Sequence, residues 1–233
     1  MLITGGGTGI GAAIAQALDS QGARLSLLGR RLEPLQRVAS VLQSAQAIRC
    51  DVTDETSVRA AFEEAVAAFG GVDILINNAG AVPTAPFHKL TAADWRQVMA
   101  VNLDGVFNCS SAAIAGMRAQ GWGRIINIAS TAAQRGYAYV SAYSAAKHGV
   151  LGLTRSLALE TATRGITVNA VCPGYTNTDI IRQSVQHIMA KTGRSEEQAL
   201  ATFTSTNPQG RLIEPEEIAA SVLWLCGEQA RSV

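Results

Sequence analysis

Thr4-Gly-Gly-Gly-Thr-Gly-Ile-Gly11 follows the short apolar run Met1–Thr4 and opens the helical pattern Gly9–Ser20. Glycines let a chain turn tightly and let a ligand approach the backbone closely. The helix that starts here offers unpaired N–H groups and the positive end of its dipole, which favour a bound phosphate. A glycine-rich turn is weak evidence alone; between a strand and a helix it points to a nucleotide-binding βαβ unit. The spacing Gly5-x3-Gly9-x-Gly11 differs from the Gly-x-Gly-x-x-Gly of larger dinucleotide-binding domains.

The remaining chain extends that alternation. Strand-like runs read Met1–Thr4, Arg24–Leu28, Ala47–Cys50, Val72–Ile76, Arg124–Ile128 and Ile166–Val171. Between and after them lie helical patterns at Gly9–Ser20, Glu33–Leu42, Glu55–Phe69, Ala92–Gln120, Ser141–Thr163 and Pro215–Gly227. The strands are near-continuous Val, Ile and Leu, as expected when both faces of a parallel sheet are covered. The expected fold is α/β, a Rossmann-like doubly wound parallel sheet with helices on both faces, in one domain over 1–233. Residues 175–210 are polar and weakly patterned, and are expected to form a substrate lid with short helices near Gln183–Lys191 and Ser195–Phe203. The chain stops at Val233, where a further strand would be expected after the last helix.

Composition narrows the function classes. The 233 residues are 48% hydrophobic and 16% charged, enough for one large core. A net charge of +1 leaves no basic footprint for nucleic acid or anionic membrane. No apolar stretch is read as long enough to span a bilayer, and no secretory signal is seen, so a cytoplasmic protein is expected. Cys50, Cys109, Cys172 and Cys226 are scattered without a Cys-x-x-Cys pair, and read as free thiols rather than zinc ligands.

The chemistry is concentrated in two places. In Ser141-Ala-Tyr-Ser-Ala-Ala-Lys147, Tyr143 and Lys147 are four apart and share a helix face. A cation beside a phenol favours the phenolate and brings its pKa down towards neutrality. Such a tyrosine can protonate a carbonyl oxygen or deprotonate an alcohol. Ser130, thirteen residues earlier, supplies a hydroxyl that could orient the same oxygen. The second place is Leu27-Leu28-Gly29-Arg30-Arg31, where an acid would contact an adenosine ribose and exclude a 2′-phosphate. Arginines stand there instead, so NADP(H) is favoured over NAD(H), which stays possible.

Taken together, Thr4–Gly11, Asp51-Val52, Asn77-Asn-Ala-Gly80, Asn102, Ser130, Tyr143-x-x-x-Lys147 and Pro173-Gly174 with Thr178 resemble the single-domain short-chain dehydrogenase/reductases. The resemblance implies Tyr143 as general acid, Ser130 as carbonyl-orienting hydroxyl, Lys147 holding the nicotinamide ribose and Asn102 anchoring a relay water. It implies cofactor contacts at Gly5, Gly7, Thr8, Gly9, Ile10, Gly11, Arg30, Asp51, Val52, Asn78, Ala79, Gly80, Pro173, Gly174 and Thr178. No metal is called for.

For the substrate, Ser130, Gln134, Tyr143 and Tyr175 are the expected contacts, with Ala81–Phe87 and Gln134–Tyr139 as walls. The segments from Ala142 to Gly174 are similar to polyketide ketoreductases and 3-hydroxyacyl dehydrogenases. That similarity implies a 3-oxoacyl or 3-hydroxyacyl thioester, on CoA or a carrier protein, or a similar β-keto compound. Arg135 and Arg194 are candidates for the phosphates of a carrier arm. Alternatives are an NAD-dependent 3-hydroxybutyrate-type or other alcohol dehydrogenase, and a non-catalytic dinucleotide-binding regulator. The resemblance also implies a homotetramer or homodimer.

Overall fold

Six strands, β1 (Leu2–Thr4), β2 (Leu25–Gly29), β3 (Ala45–Arg49), β4 (Ile74–Asn77), β5 (Gly123–Ile128) and β6 (Ile166–Val171), form one sheet. This computed structural model describes residues 1–233 throughout. Every strand pairing is parallel and the order is β3-β2-β1-β4-β5-β6. The chain winds outward from β1 to β3, then returns to lay β4 beside β1. A crevice therefore opens at the carboxyl ends of β1 and β4, where connections leave in opposite directions.

Nine helices complete the fold: α1 (Gly9–Asp19), α2 (Leu32–Ala39), α3 (Glu55–Phe69), α4 (Ala92–Met99), α5 (Gly105–Gln120), α6 (Ser141–Thr161), α7 (Asp179–Thr192), α8 (Glu196–Thr204) and α9 (Pro215–Cys226). Alternation along the strands sends neighbouring side chains to opposite layers. Ile3, Leu27, Ile76 and Ile126 pack with α1 and α9 residues such as Ile14 and Val222. Leu2, Leu28, Leu75 and Ile125 pack with α3 and α5 residues such as Phe62 and Met117. Truncating one of these fully buried leucines or isoleucines to alanine costs about 2–5 kcal/mol.

Three elements differ from the sequence expectation. Strand β3 starts at Ala45, because Ala45 already pairs with Leu25, and this shortens α2 to Ala39. The run Ala92–Gln120 is broken by a π turn at Ala100–Asp104. That same run reaches a mean hydropathy of 1.3 over eighteen residues, so by length and composition it could cross a bilayer, which corrects the expectation that none could. Here it folds as a broken pair of helices, with Val98, Val106, Cys109, Ala113 and Met117 buried in the protein. The segment after β6 is more ordered than its composition suggests. It carries α7 and α8, closed by a capping box at Ser195 and Gln198 and by left-handed Gly193.

Candidate active site

The glycine turn lies at the end of β1 because Thr4 fastens it there. The Thr4 hydroxyl accepts hydrogen bonds from the amides of Asn78 and Ala79, both at 3.0 Å. Asn78 returns its side-chain amide to the carbonyls of Thr4 and Gly5, at 3.0 and 3.1 Å. Gly5 and Gly9 adopt positive φ, 65° and 51°, which side chains resist. Gly11 is required for a different reason: a Cβ there would lie 2.3 Å from the Gly5 carbonyl oxygen. Glycine at this position lets α1 start against the turn, with its first amides turned towards the crevice.

Two cavities meet along this crevice, sharing Gly5, Thr8, Ala79, Gly80 and Ala81. The smaller, about 230 Å³, is lined by Gly7, Arg30, Arg31, Asp51 and Val52. Burial alone would raise the Asp51 pKa, but bonds from the Thr53 amide and hydroxyl and the nearby Arg30 charge lower it overall. The larger, about 350 Å³, contains Thr8, Gly9, Ile10, Asn78, Ser130, Tyr143, Lys147, Pro173, Gly174, Tyr175 and Thr178. All of the expected cofactor residues thus line this trough except Gly11, which is buried beneath the turn it supports.

Ser130 ends the segment after β5, and its hydroxyl accepts the Ala132 amide at 3.1 Å to cap a short 3-10 turn. Tyr143 and Lys147 project from the first two turns of α6. The Lys147 ammonium is buried, lies 5.7 Å from the Tyr143 ring centroid and donates to the Ile128 carbonyl at 2.8 Å. Burial lowers its pKa to about 8. Burial also raises the Tyr143 pKa, against the opposing influence of the Ser130 hydroxyl. The expected lowering of the phenol pKa is therefore not seen in the protein alone: removal of the Tyr143 hydroxyl from water dominates, and the opposing influence comes from Ser130.

Asn102 is fully buried in the π turn. Its side-chain amide donates to the carbonyls of Ala81 and Val98, and its oxygen accepts the Ala81 amide at 3.2 Å. These bonds brace the loop after β4. The oxygen would lie 2.9 Å from a Cβ on Gly80, so a glycine is needed beside it. Asn77, by contrast, faces the core, bonding Asn127 at 2.8 Å and Ser110 at 3.2 Å.

Three aromatics, Tyr137, Tyr175 and Phe203, also line the larger cavity. Tyr175 stacks edge-on against Phe203 of α8, centroids 5.1 Å apart, and against Tyr137 at 6.2 Å. The Asn207 side-chain oxygen accepts the Tyr175 amide at 3.1 Å, and its side-chain amide donates to the Tyr175 carbonyl. Gln134, expected as a substrate contact, is exposed and outside the lining; the chain turns after the 3-10 helix so that Tyr137 and Val140 face inward. Arg135 is exposed and outside the lining; its Nε donates to the Tyr137 hydroxyl at 2.8 Å and its guanidinium stacks on that ring. Arg194 is exposed in the loop joining α7 to α8. Thr4, Asn207 and Phe203 were not singled out from sequence. Only Thr4, the residue opening the glycine turn, carried a local signal.

Nothing in the trough conflicts with a nicotinamide dinucleotide. The glycine cradle, with Gly5 and Gly9 at positive φ and lining the cavity, suits a pyrophosphate, and Lys147 has donors beyond its one bonded acceptor. The comparisons agree. A family model for short chain dehydrogenase matches residues 1–188. The chain is 39% identical to acetoacetyl-CoA reductase of Rhizobium meliloti, covering 98% of this chain and 91% of that one. It is 37% identical to D-beta-hydroxybutyrate dehydrogenase of Cupriavidus necator, covering 100% and 92%. A solved structure of an actinorhodin polyketide ketoreductase variant with NADPH superposes with TM-score 0.95 at 37% identity, covering 100% and 91%. With site and relatives in agreement, the chain belongs to the short-chain dehydrogenase family, and it is an NAD(P)-dependent oxidoreductase.

Proposed function

We propose that the protein interconverts a ketone and a secondary alcohol using NADP(H), with a 3-oxoacyl or 3-hydroxyacyl thioester or a similar β-keto compound as substrate. The observation that carries this reading is that Ser130, Tyr143 and Lys147 line the same cavity as the glycine turn. Relatives named acetoacetyl-CoA reductase and a ketoreductase solved with NADPH support the substrate class and the phosphate-bearing cofactor. Arg30 and Arg31 support it independently, since they border the smaller cavity.

In this reading Thr8 to Ile10 receive the pyrophosphate, Arg30 the 2′-phosphate, and Asp51 and Val52 flank the adenine. Asn78, Ala79 and Gly80 form the floor, with Pro173, Gly174 and Thr178 on the nicotinamide side. The bound dinucleotide supplies or accepts the hydride. Ser130 holds the substrate oxygen, and Tyr143 donates its phenolic proton to that oxygen during reduction or removes it during oxidation. Lys147 holds the ribose and, as a buried cation, stabilises the phenolate that Tyr143 becomes when it gives up its proton. Asn102 keeps the floor in place by bracing Ala81.

The segment 175–210 acts as a lid, with Tyr175 and Phe203 on its inner face. Exposed Trp95, Phe107 and Leu159 on α4, α5 and α6 support pairing into a homodimer or homotetramer. Four free cysteines support residence in the reducing cytoplasm. The test is a spectrophotometric screen of NADPH and NADH against β-keto thioesters and simple ketones. NADPH consumption with a β-keto thioester is expected; failure with every ketone and either nicotinamide would refute the reading.

A further inference from the structure

The larger cavity contains only two charged side chains, Lys147 and Asp179. Lys147 belongs to the nucleotide side, where a Cβ on Gly80 would lie 3.9 Å from its Nζ, and it already bonds the Ile128 carbonyl. Asp179 is an acid, paired with Arg182 at 2.6 Å. Two further cations stand outside the lining: Arg182, whose guanidinium is committed to Asp179 and to the Asn177 side-chain oxygen at 3.0 Å, and Arg135. The Tyr137 ring stands in the lining instead, with the Arg135 guanidinium 4.8 Å from its centroid. Arg135 is held by the Tyr137 hydroxyl, and it reaches the Thr206 carbonyl beyond α8. The Tyr137 hydroxyl is engaged by Thr131 at 2.9 Å as well. Aromatic rings therefore line the side of the cavity away from Lys147, and Arg135, which no carboxylate neutralises, lies outside the lining.

We propose that this enzyme selects neutral ketones and rejects free keto carboxylates, and that Tyr137 is the residue that sets the selection by keeping Arg135 out of the cavity. The inference rests on the ketone reductase reading above and narrows its substrate class. A carboxylate entering on the aromatic side loses water and gains no cation there, since Lys147 lies on the nucleotide side and Arg182 is already committed to Asp179. An ester or thioester of the same acid carries no such penalty and places its apolar part against Tyr137, Tyr175 and Phe203.

The experiment compares matched acids and esters in the intact enzyme: acetoacetate with ethyl acetoacetate, and 4-oxocyclohexanecarboxylate with its ethyl ester. In each pair kcat/KM for the ester should exceed that for the acid by about 100-fold, the scale expected for an unpaired buried charge. Tyr137→Ala should narrow that ratio about tenfold, mainly by lowering KM for the acid as Arg135 gains access. Tyr137→Phe keeps the ring but removes the hydroxyl that holds Arg135, and should narrow the ratio less than Tyr137→Ala does. Pairing Tyr137→Ala with Arg135→Gln should restore discrimination. Equal use of acid and ester by the unaltered enzyme would overturn the proposal, whatever the variants do. A ratio that Tyr137→Ala leaves unmoved would overturn the assignment to Tyr137. Turnover of none of the four compounds or of β-keto thioesters would instead count against the ketone reductase reading itself.

Discussion

The Lys147 ammonium lies over the Tyr143 ring, 5.7 Å from its centroid, yet its hydrogen bond goes to the Ile128 carbonyl at the end of β5. The pair that dominates the sequence reading is thus a pair through space, with the amine anchored to the sheet. Its buried charge has a consequence for stability. The native Lys147 pKa is about 8, whereas the unfolded value is about 10.4. Between those values the unfolded chain binds more protons, so stability rises with pH. Lys147→Met should therefore be more stable than the parent below pH 8, by on the order of 3 kcal/mol. That advantage should shrink as pH rises towards 10, while activity is lost throughout. Urea denaturation of both proteins across this range is the measurement; a pH-independent difference would contradict it.

Tyr143→Phe should lower kcat by about 10³-fold, within the range for loss of a positioned general acid. Ser130→Ala, which removes only an orienting hydroxyl, should cost about 100-fold. Nucleotide affinity, followed by fluorescence titration, should change little in either. A Tyr143→Phe protein with near-parental turnover would remove Tyr143 from the chemistry.

Arg30 borders the smaller cavity and its charge is felt by Asp51. Arg30→Asp should weaken NADPH relative to NADH by about 10- to 100-fold, the range for losing hydrogen bonds to a charged group. Parallel titrations with the two nicotinamides give the ratio directly. No change in that ratio would assign the phosphate preference elsewhere.

Gly11→Ala places a Cβ 2.3 Å from the Gly5 oxygen and 2.6 Å from the Asn78 side-chain nitrogen. Neither neighbour can yield without disturbing the bonds that hold the turn. We expect a loss of about 1–3 kcal/mol in stability, together with weaker nucleotide binding. Gly22→Ala is the contrasting case: its positive φ of 75° disfavours alanine, but no atom lies within 4 Å of the added Cβ. Calorimetry should show Gly22→Ala destabilised without loss of nucleotide affinity.

Strand identity and the parallel, doubly wound class were legible because strands covered on both faces are rich in consecutive apolar residues, as in Ile74, Leu75 and Ile76, all buried. The order of the strands was not legible from sequence. The start of β3 was not, since Ala45 and Gln46 are only half-buried at the sheet edge and carry no apolar signal. The π turn left no trace either: Ala100–Asp104 continues a helical pattern, and its departure is visible only in the bonds Asn102 makes to Ala81 and Val98. Ser130, Tyr143 and Lys147 could be read from spacing because the elements carrying them begin and end locally. Gln134 could not be placed, because whether a loop residue faces in or out depends on tertiary contacts such as Tyr137 against Tyr175. Phe203 reaches the cavity from far along the chain for the same reason.

The Thr4 side chain has one further consequence. A single hydroxyl gathers two amides from beyond β4, and Asn78 reaches back across the same seam. Prising the two halves of the sheet apart at that seam would break all of these contacts together. That side of the crevice is in effect riveted, so if the segment 175–210 acts as the proposed lid, the room a product needs to depart would come from α7 and α8.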